Sequence, residues 1–324
     1  MTADHGHSAE RVTLARLPSG VEVSTTVHVY EGAEPGKTVY VQAAQHGREI
    51  NGTEVLRRLH NRLDPAAMAG RLIAVPVADP LTFDRVSYTT PPSIDSVNPN
   101  MNRVWPGDAD GTVHERMAAT LWEHAGDADA IVDLHTGSPD LLTHVVFTEG
   151  SIASRDLAEA FGTELLLAEP AGEDVSEEWH DRGFAGKLRV AASRTAIPAI
   201  TPELAHNRQF VEPAIDTGVM GMLNVFRQLG VLEGSPVRSS DQRIARNHLG
   251  RVNADHGGLF RPDDGIELGQ TIDRGVTVGA VYDPTTYERL QTVETTTEGV
   301  LYAITREATV NAGDRLVSVA VDRD

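Results

Sequence analysis

The sequence predicts an α/β fold, a mostly parallel mixed sheet with helices on both faces, followed by a small all-β region. Three observations carry that expectation. Apolar, β-branched runs at 38–44, 130–135 and 199–203 alternate with stretches of helical apolar spacing. Composition shifts at 230–241 (GVLEGSPVRSSD), after which short β-like runs are split by Gly and Asp. No apolar run approaches the ~20 residues needed to span a bilayer. The expected division is an α/β domain over 1–232 and a β domain over 233–324.

Residues 12–44 read as short strands, with alternation in Val21-Glu22-Val23-Ser24-Thr25. Asn51 with Glu54 three residues on has the spacing of a capping box. Val55, Leu56, Leu59 and Leu63 then give a helix its apolar stripe, with Arg57, Arg58 and Asn61 outside. The run at 71–77 (RLIAVPV) is of buried-strand type, and Pro76 should end it. No period holds over 79–110, where Phe83, Tyr88 and Trp105 argue for an ordered substrate loop. Helices are expected at 112–124, 154–161, 186–194 and 213–229, and a further strand at 143–147.

The formal charge of −19 excludes a nucleic-acid or anionic-membrane partner as the natural reading. Among the 28 basic residues only Lys37 and Lys187 are lysine. Abundant acid with scarce lysine is similar to proteins of salt-accumulating cytoplasms, although an acidic enzyme from a GC-rich genome reads alike. The polar start, MTADHGHSAERV, lacks an export pattern, so a cytoplasmic location is expected. Cysteine is absent, which removes disulfides, thiolate metal sites and Cys nucleophiles together.

His46 and Glu49 stand three apart where a strand ends, with Gly47 between them to let the backbone turn. Open α/β sheets place ligand sites at such strand ends. His135 ends another strand, in Asp133-Leu134-His135-Thr136-Gly137. Two imidazoles and a carboxylate leave one position open on zinc, the pattern of a catalytic rather than a structural site. Asp133, on the same strand face as His135, could orient that imidazole. His5, His7, His60, His114 and His124 read as surface or core residues without a metal.

Four motifs follow one another: His46-Gly47-Arg48-Glu49, Asn102-Arg103 ahead of Trp105-Pro106-Gly107, Asp133-Leu134-His135-Thr136-Gly137, and Thr201-Pro202-Glu203-Leu204. In that order they resemble the succinylglutamate desuccinylase/aspartoacylase family, within the zinc-carboxypeptidase clan. The resemblance runs over about residues 30–230. It implies a zinc-carboxypeptidase-like fold and one zinc per chain, held by His46, Glu49 and His135. It further implies Glu203 as general base, Asn102 and Arg103 on a substrate carboxylate, and Arg85 as the oxyanion-stabilising arginine. Arg48 departs from the Asn or Asp usual in the family and is similar to the carboxypeptidase arrangement, where it would contact substrate. Arg189, Arg194 and Tyr88 are candidates for closing the pocket.

The expected activity is zinc-dependent removal of an acyl group from a small N-acylated amino acid, with acetylated diaminobutyrate among the fitting substrates. A metallocarboxypeptidase acting on small peptides is the enzymatic alternative, and a binding module that keeps the zinc pocket is the other. The C-terminal region resembles the flattened β-sandwich of biotinyl and lipoyl carriers. It has no lysine after Lys187, so a lid or homo-oligomer contact is expected there instead.

Overall fold

A computed structural model describes residues 5–137, 140–171, 179–180 and 182–322. The chain opens with strands β1 (Gly6–Arg16), β2 (Glu22–Glu31) and β3 (Glu34–Ala43). Helix α1 (Asn51–His60), strand β4 (Ala69–Val75) and the one-turn helix α2 (Pro80–Phe83) follow. Then come α3 (Val113–Ala125), β5 (Ala130–Gly137), β6 (Asp140–Leu141), β7 (His144–Thr148) and α4 (Ile152–Phe161). Strand β8 (Leu165–Glu169), α5 (Leu188–Arg194), β9 (Ala199–His206) and α6 (Glu212–Leu229) complete the α/β part. The remainder is strand: β10 (Arg243–Asn253), β11 (Gly258–Pro262), β12 (Thr271–Ile272), β13 (Thr277–Tyr282), β14 (Arg289–Glu294), β15 (Gly299–Ile304), β16 (Thr309–Val310) and β17 (Arg315–Asp322).

One sheet runs β1-β2-β4-β3-β5-β9-β7-β8-β10-β17-β15-β12, with β6 beside β15. Its centre is parallel, as in β4-β3-β5-β9, and both flanks are antiparallel, β1–β2 as a hairpin and β10-β17-β15-β12 through longer connections. The expected α/β architecture is therefore present as a mixed sheet. Strand β3 shows why it is covered twice. Val39, Val41 and Ala43 join a core with α1, α4 and α6, while Tyr40 points into a core with α3 and α5. Val55, Leu56 and Leu59 of α1 are buried there, each worth about 1.5–3 kcal/mol relative to exposure.

The C-terminal strands do not all stand apart. β10 pairs in parallel with β8, so β10, β17, β15 and β12 prolong the main sheet. Only β14-β13-β11-β16 form a separate four-stranded sheet, packed through Phe260, Val278, Val281 and Val293.

One local expectation is corrected. Ile50, not Asn51, precedes the first turn of α1, and no side chain caps it. Asn51 instead donates from Nδ2 to the Leu204 and His206 carbonyls and accepts from the Val211 amide, tying α1 to the end of β9. Glu54 turns outward to Arg57 and Arg58, a stronger partner than a backbone N–H. The 79–110 loop is ordered: Asp79 caps α2 by accepting from the Leu81 and Thr82 amides.

Candidate active site

The carboxyl ends of β3, β5 and β9 meet at one cavity of about 520 Å³. After β3, Ala44 adopts φ 49° and the chain turns into Gln45-His46-Gly47. Gly47 serves a purpose other than a left-handed turn. A Cβ on it would stand 2.0 Å from the Thr82 carbonyl oxygen, so only glycine lets the loop lie against α2. The Glu49 amide donates to the His46 carbonyl at 2.9 Å, closing a turn that points both side chains into the cavity.

His46, Glu49 and His135 are buried, and one donor atom from each lies within 4.8 Å of the others. Zinc bonds of about 2.0–2.2 Å at tetrahedral angles put donors about 3.3–3.6 Å apart, so small side-chain rotations close this set on an ion. Each imidazole has one nitrogen fixed. His46 Nδ1 donates to the Tyr88 carbonyl at 2.9 Å, leaving Nε2 for the metal, and its ring stacks on Tyr88 at 3.9 Å. His135 Nε2 donates to Asp133 Oδ2 at 2.9 Å, leaving Nδ1 directed at Glu49 Oε2, also 2.9 Å away. Gln42 and Gln45 each donate to Asp133, and Trp105 Nε1 donates to Gln45 Oε1. The ring of His135 is thus anchored through three buried groups to the core.

Electrostatics agree with a cation site. Burial pushes His46 down to about 4, keeping it as the neutral ligand form. Burial also opposes charge on Glu49, but His46, His135 and the Thr136 amide outweigh it and hold the carboxyl below its ordinary value. His135 is raised: burial lowers it, and Asp133 and Glu49 more than compensate. The group therefore stabilises positive charge between two carboxylates.

Glu203 lies in register with His135 across the β5–β9 pair and lines the same cavity, half-buried. Desolvation pushes its carboxyl up to about 7, against the pull of His135. Arg103 also lines the cavity, its guanidinium held by the Arg182 and Asn102 carbonyls and lying 5.0 Å over the Phe184 ring. Asn102 accepts from the Leu188 amide at 3.1 Å, and its Nδ2 stands 3.4 Å from His135 Nε2. Arg48 reaches the cavity over Tyr88, 4.9 Å from the ring, and its buried Nε has no hydrogen-bond partner among the described residues.

Arg85 is not brought to the site. It is exposed and donates to the Leu81 carbonyl at 2.9 Å, because α2 winds it onto its own preceding turn. Arg194 is likewise exposed and away from the cavity, whereas Tyr88 and Arg189 line it.

Sequence reasoning missed a second wall. Buried Glu169 ends β8 and pairs with Lys187 at 2.8 Å and with Arg189. Its run, Leu165-Leu166-Leu167-Ala168-Glu169, is an apolar strand ending in a carboxylate, the same signal that found His46 and His135. Asn247, Arg251, Tyr302, Thr305 and Arg315 of the C-terminal strands complete that wall, and no local spacing announces them.

Comparison with known proteins agrees with this geometry. Residues 35–229 match the succinylglutamate desuccinylase/aspartoacylase catalytic domain. The chain is 28% identical over 300 residues to N-alpha-acetyl-L-2,4-diaminobutyric acid deacetylase of Halomonas elongata, covering 88% of this chain and 82% of that one. The succinylglutamate desuccinylase/aspartoacylase structure from Rhodobacter sphaeroides superposes with TM-score 0.83 at 24% identity, covering 100% and 97% of the two chains. The product-bound ectoine utilization protein EutE (DoeB) from Ruegeria pomeroyi gives 0.85 at 22% identity, covering 99% and 97%. With the match spanning more than half its length, the chain belongs to the succinylglutamate desuccinylase/aspartoacylase family of hydrolases.

Proposed function

We propose that this chain is a zinc-dependent amidohydrolase that deacylates a small N-acylated amino acid with a free carboxylate. The observation that supports it most is the β5–β9 register, which sets Glu203 beside His135 and its partner donors His46 and Glu49. Those three residues would hold zinc, which would supply a Lewis acid for the amide carbonyl and lower the pKa of a bound water to about 7. Glu203 takes the proton of the attacking water on its carboxylate and delivers it to the departing amine nitrogen. A carboxylate beside the attacking water can accept that proton and then release it. Arg103 binds the substrate carboxylate and Asn102 adds an amide N–H to that grip. Arg48, which reaches the cavity over Tyr88, takes the charge-stabilising part expected of Arg85. The C-terminal strands act as the wall that shapes the leaving-group side of the pocket.

Among substrates, Nα-acetylated diaminobutyrate is favoured by the likeness to the Halomonas elongata deacetylase. We read the acidic chain as a cytoplasmic enzyme of a salt-adapted cell, on its excess of 47 acidic over 28 basic residues. Arg48 in the cavity is the observation that keeps small-peptide carboxypeptidase activity as the second reading. Both are decided by one screen at high salt with zinc present, comparing N-acetyl amino acids with N-blocked dipeptides. Free amine is expected from the acetyl compounds, acetylated diaminobutyrate first. Turnover of the dipeptides alone would replace the deacylase reading.

A further inference from the structure

We propose that His7, His28 and His60 form a second metal site, on the outer surface of the molecule, for a divalent transition metal of the zinc, nickel or copper class. The three residues come from β1, β2 and the last turn of α1. In the β1–β2 hairpin His7 pairs with Tyr30 and Ala9 with His28, so His7, His28 and Tyr30 share one face, the face on which α1 packs.

The three rings cluster, although their nitrogens do not yet converge as the donors of His46, Glu49 and His135 do. His7 Nε2 lies 3.0 Å from His28 Nδ1. Ring centroids are 5.2 Å apart for His7 and His28, 4.8 Å for His7 and His60, and 6.2 Å for His28 and His60. Three imidazoles on one tetrahedral ion, with metal–nitrogen bonds of about 2.0 Å, stand about 5 Å apart centre to centre. The His7 and His28 rings are within 14° of parallel, so His7 must rotate for its lone pair to converge, and its exposed position leaves that rotation open.

The third ring is held by a device like that at His46. Tyr30 OH and His60 Nδ1 are 2.8 Å apart, and with the proton on Nδ1 that bond orients the ring and leaves the Nε2 lone pair for a metal. Burial pushes the Tyr30 phenol up to about 12, so it stays a neutral hydroxyl beside the imidazole. Burial and mutual repulsion also keep His7 and His28 below the ordinary histidine value, in the neutral form that binds metals. An all-imidazole donor set suits zinc, nickel and copper and offers little to magnesium or calcium. Such an ion would tie the carboxyl end of α1 to the β1–β2 hairpin. The other end of α1 begins just after Glu49, about 15 Å away along a helix of ten residues.

The test counts metal on the full chain saturated with zinc and desalted. Two equivalents are expected in the wild type and one in His7→Ala/His60→Ala, with deacylase turnover unchanged in that variant. His46→Ala should also hold one equivalent, at the outer site, and lose turnover. Calorimetric titration with Ni2+ of protein carrying a single equivalent of zinc should show a site weakened at least 100-fold by His28→Ala. Circular dichroism of each variant checks that it folds. A single equivalent in the wild type, or a second equivalent that survives His7→Ala/His60→Ala, overturns the site.

Discussion

Two buried imidazoles, His135 and His114, are each flanked by a pair of carboxylates, yet only one of them faces the cavity. His135 stands 2.9 Å from both Glu49 and Asp133, and His114 stands 3.2 Å from Asp79 and 3.7 Å from Asp95. In both, burial lowers the imidazole and the carboxylates more than restore it, so both are raised. The difference lies in what else those carboxylates hold. Asp79 caps α2, and Asp95 accepts from the Val97, Asn98 and His114 amides. The His114 cluster therefore pins the 79–110 loop, which delivers Tyr88, Asn102 and Arg103 to the cavity. Around His135, by contrast, a second imidazole lies 5.3 Å away and open space adjoins it. A carboxylate pair raises a histidine in either setting. Only the added donor and the cavity equip one of them to hold a metal.

The largest test acts on the neighbour that His114 lacks. Glu203→Gln keeps the shape of the side chain but removes its proton-accepting oxygen. It should lower kcat by about 10²–10⁴-fold while zinc content stays at the wild-type level. Near-normal turnover would take the base role away from Glu203 and leave His135 distinguished by metal alone.

Next in size is the structural counterpart. His114→Ala strips the shared partner from two buried carboxylates, and breaking such a group costs about 3–5 kcal/mol. Denaturant unfolding should report that loss, with zinc content unchanged. Because the loop carries Arg103, KM for carboxylate substrates should rise more than kcat falls. An unchanged unfolding free energy would mean that the cluster pins nothing, and the contrast with His135 would collapse.

The cluster of His46, Glu49, His135 and Glu203 was legible because it gathers at or near the carboxyl ends of β3, β5 and β9, where open sheets place their ligand sites. Arg85 illustrates what a resemblance in sequence cannot fix: its side chain is turned back onto the Leu81 carbonyl, outside the cavity. Asn51 carried a real capping pattern, but its Oδ1, the atom that would cap, accepts from the Val211 amide while Nδ2 donates to the Leu204 and His206 carbonyls at the end of β9. The opposite wall was hidden for a different reason. Arg251 and Tyr302 reach the cavity only because β10 pairs with β8, and a pairing between segments so far apart leaves no local period to read.

The smallest test separates the two histidines by pH. A histidine raised in the folded protein binds its proton more tightly there than in the unfolded chain. Its stabilising contribution is complete below about 6.5 and is lost as pH rises through the folded value. His114 should therefore add a slope of up to about 1.4 kcal/mol per pH unit on the alkaline side of that point. His135 would do the same without metal, but as a ligand it is already deprotonated, so zinc should erase its share and leave that of His114. His144, a neutral imidazole that burial pushes down to about 4, works in the opposite sense: its contribution is present above 6.5 and is lost toward 4. Unfolding measured between pH 5 and 8, with and without zinc, should thus show one alkaline-side slope that zinc removes and another that only His114→Ala removes. If zinc abolished both, the two histidines would titrate as one system and the distinction drawn between them would fail.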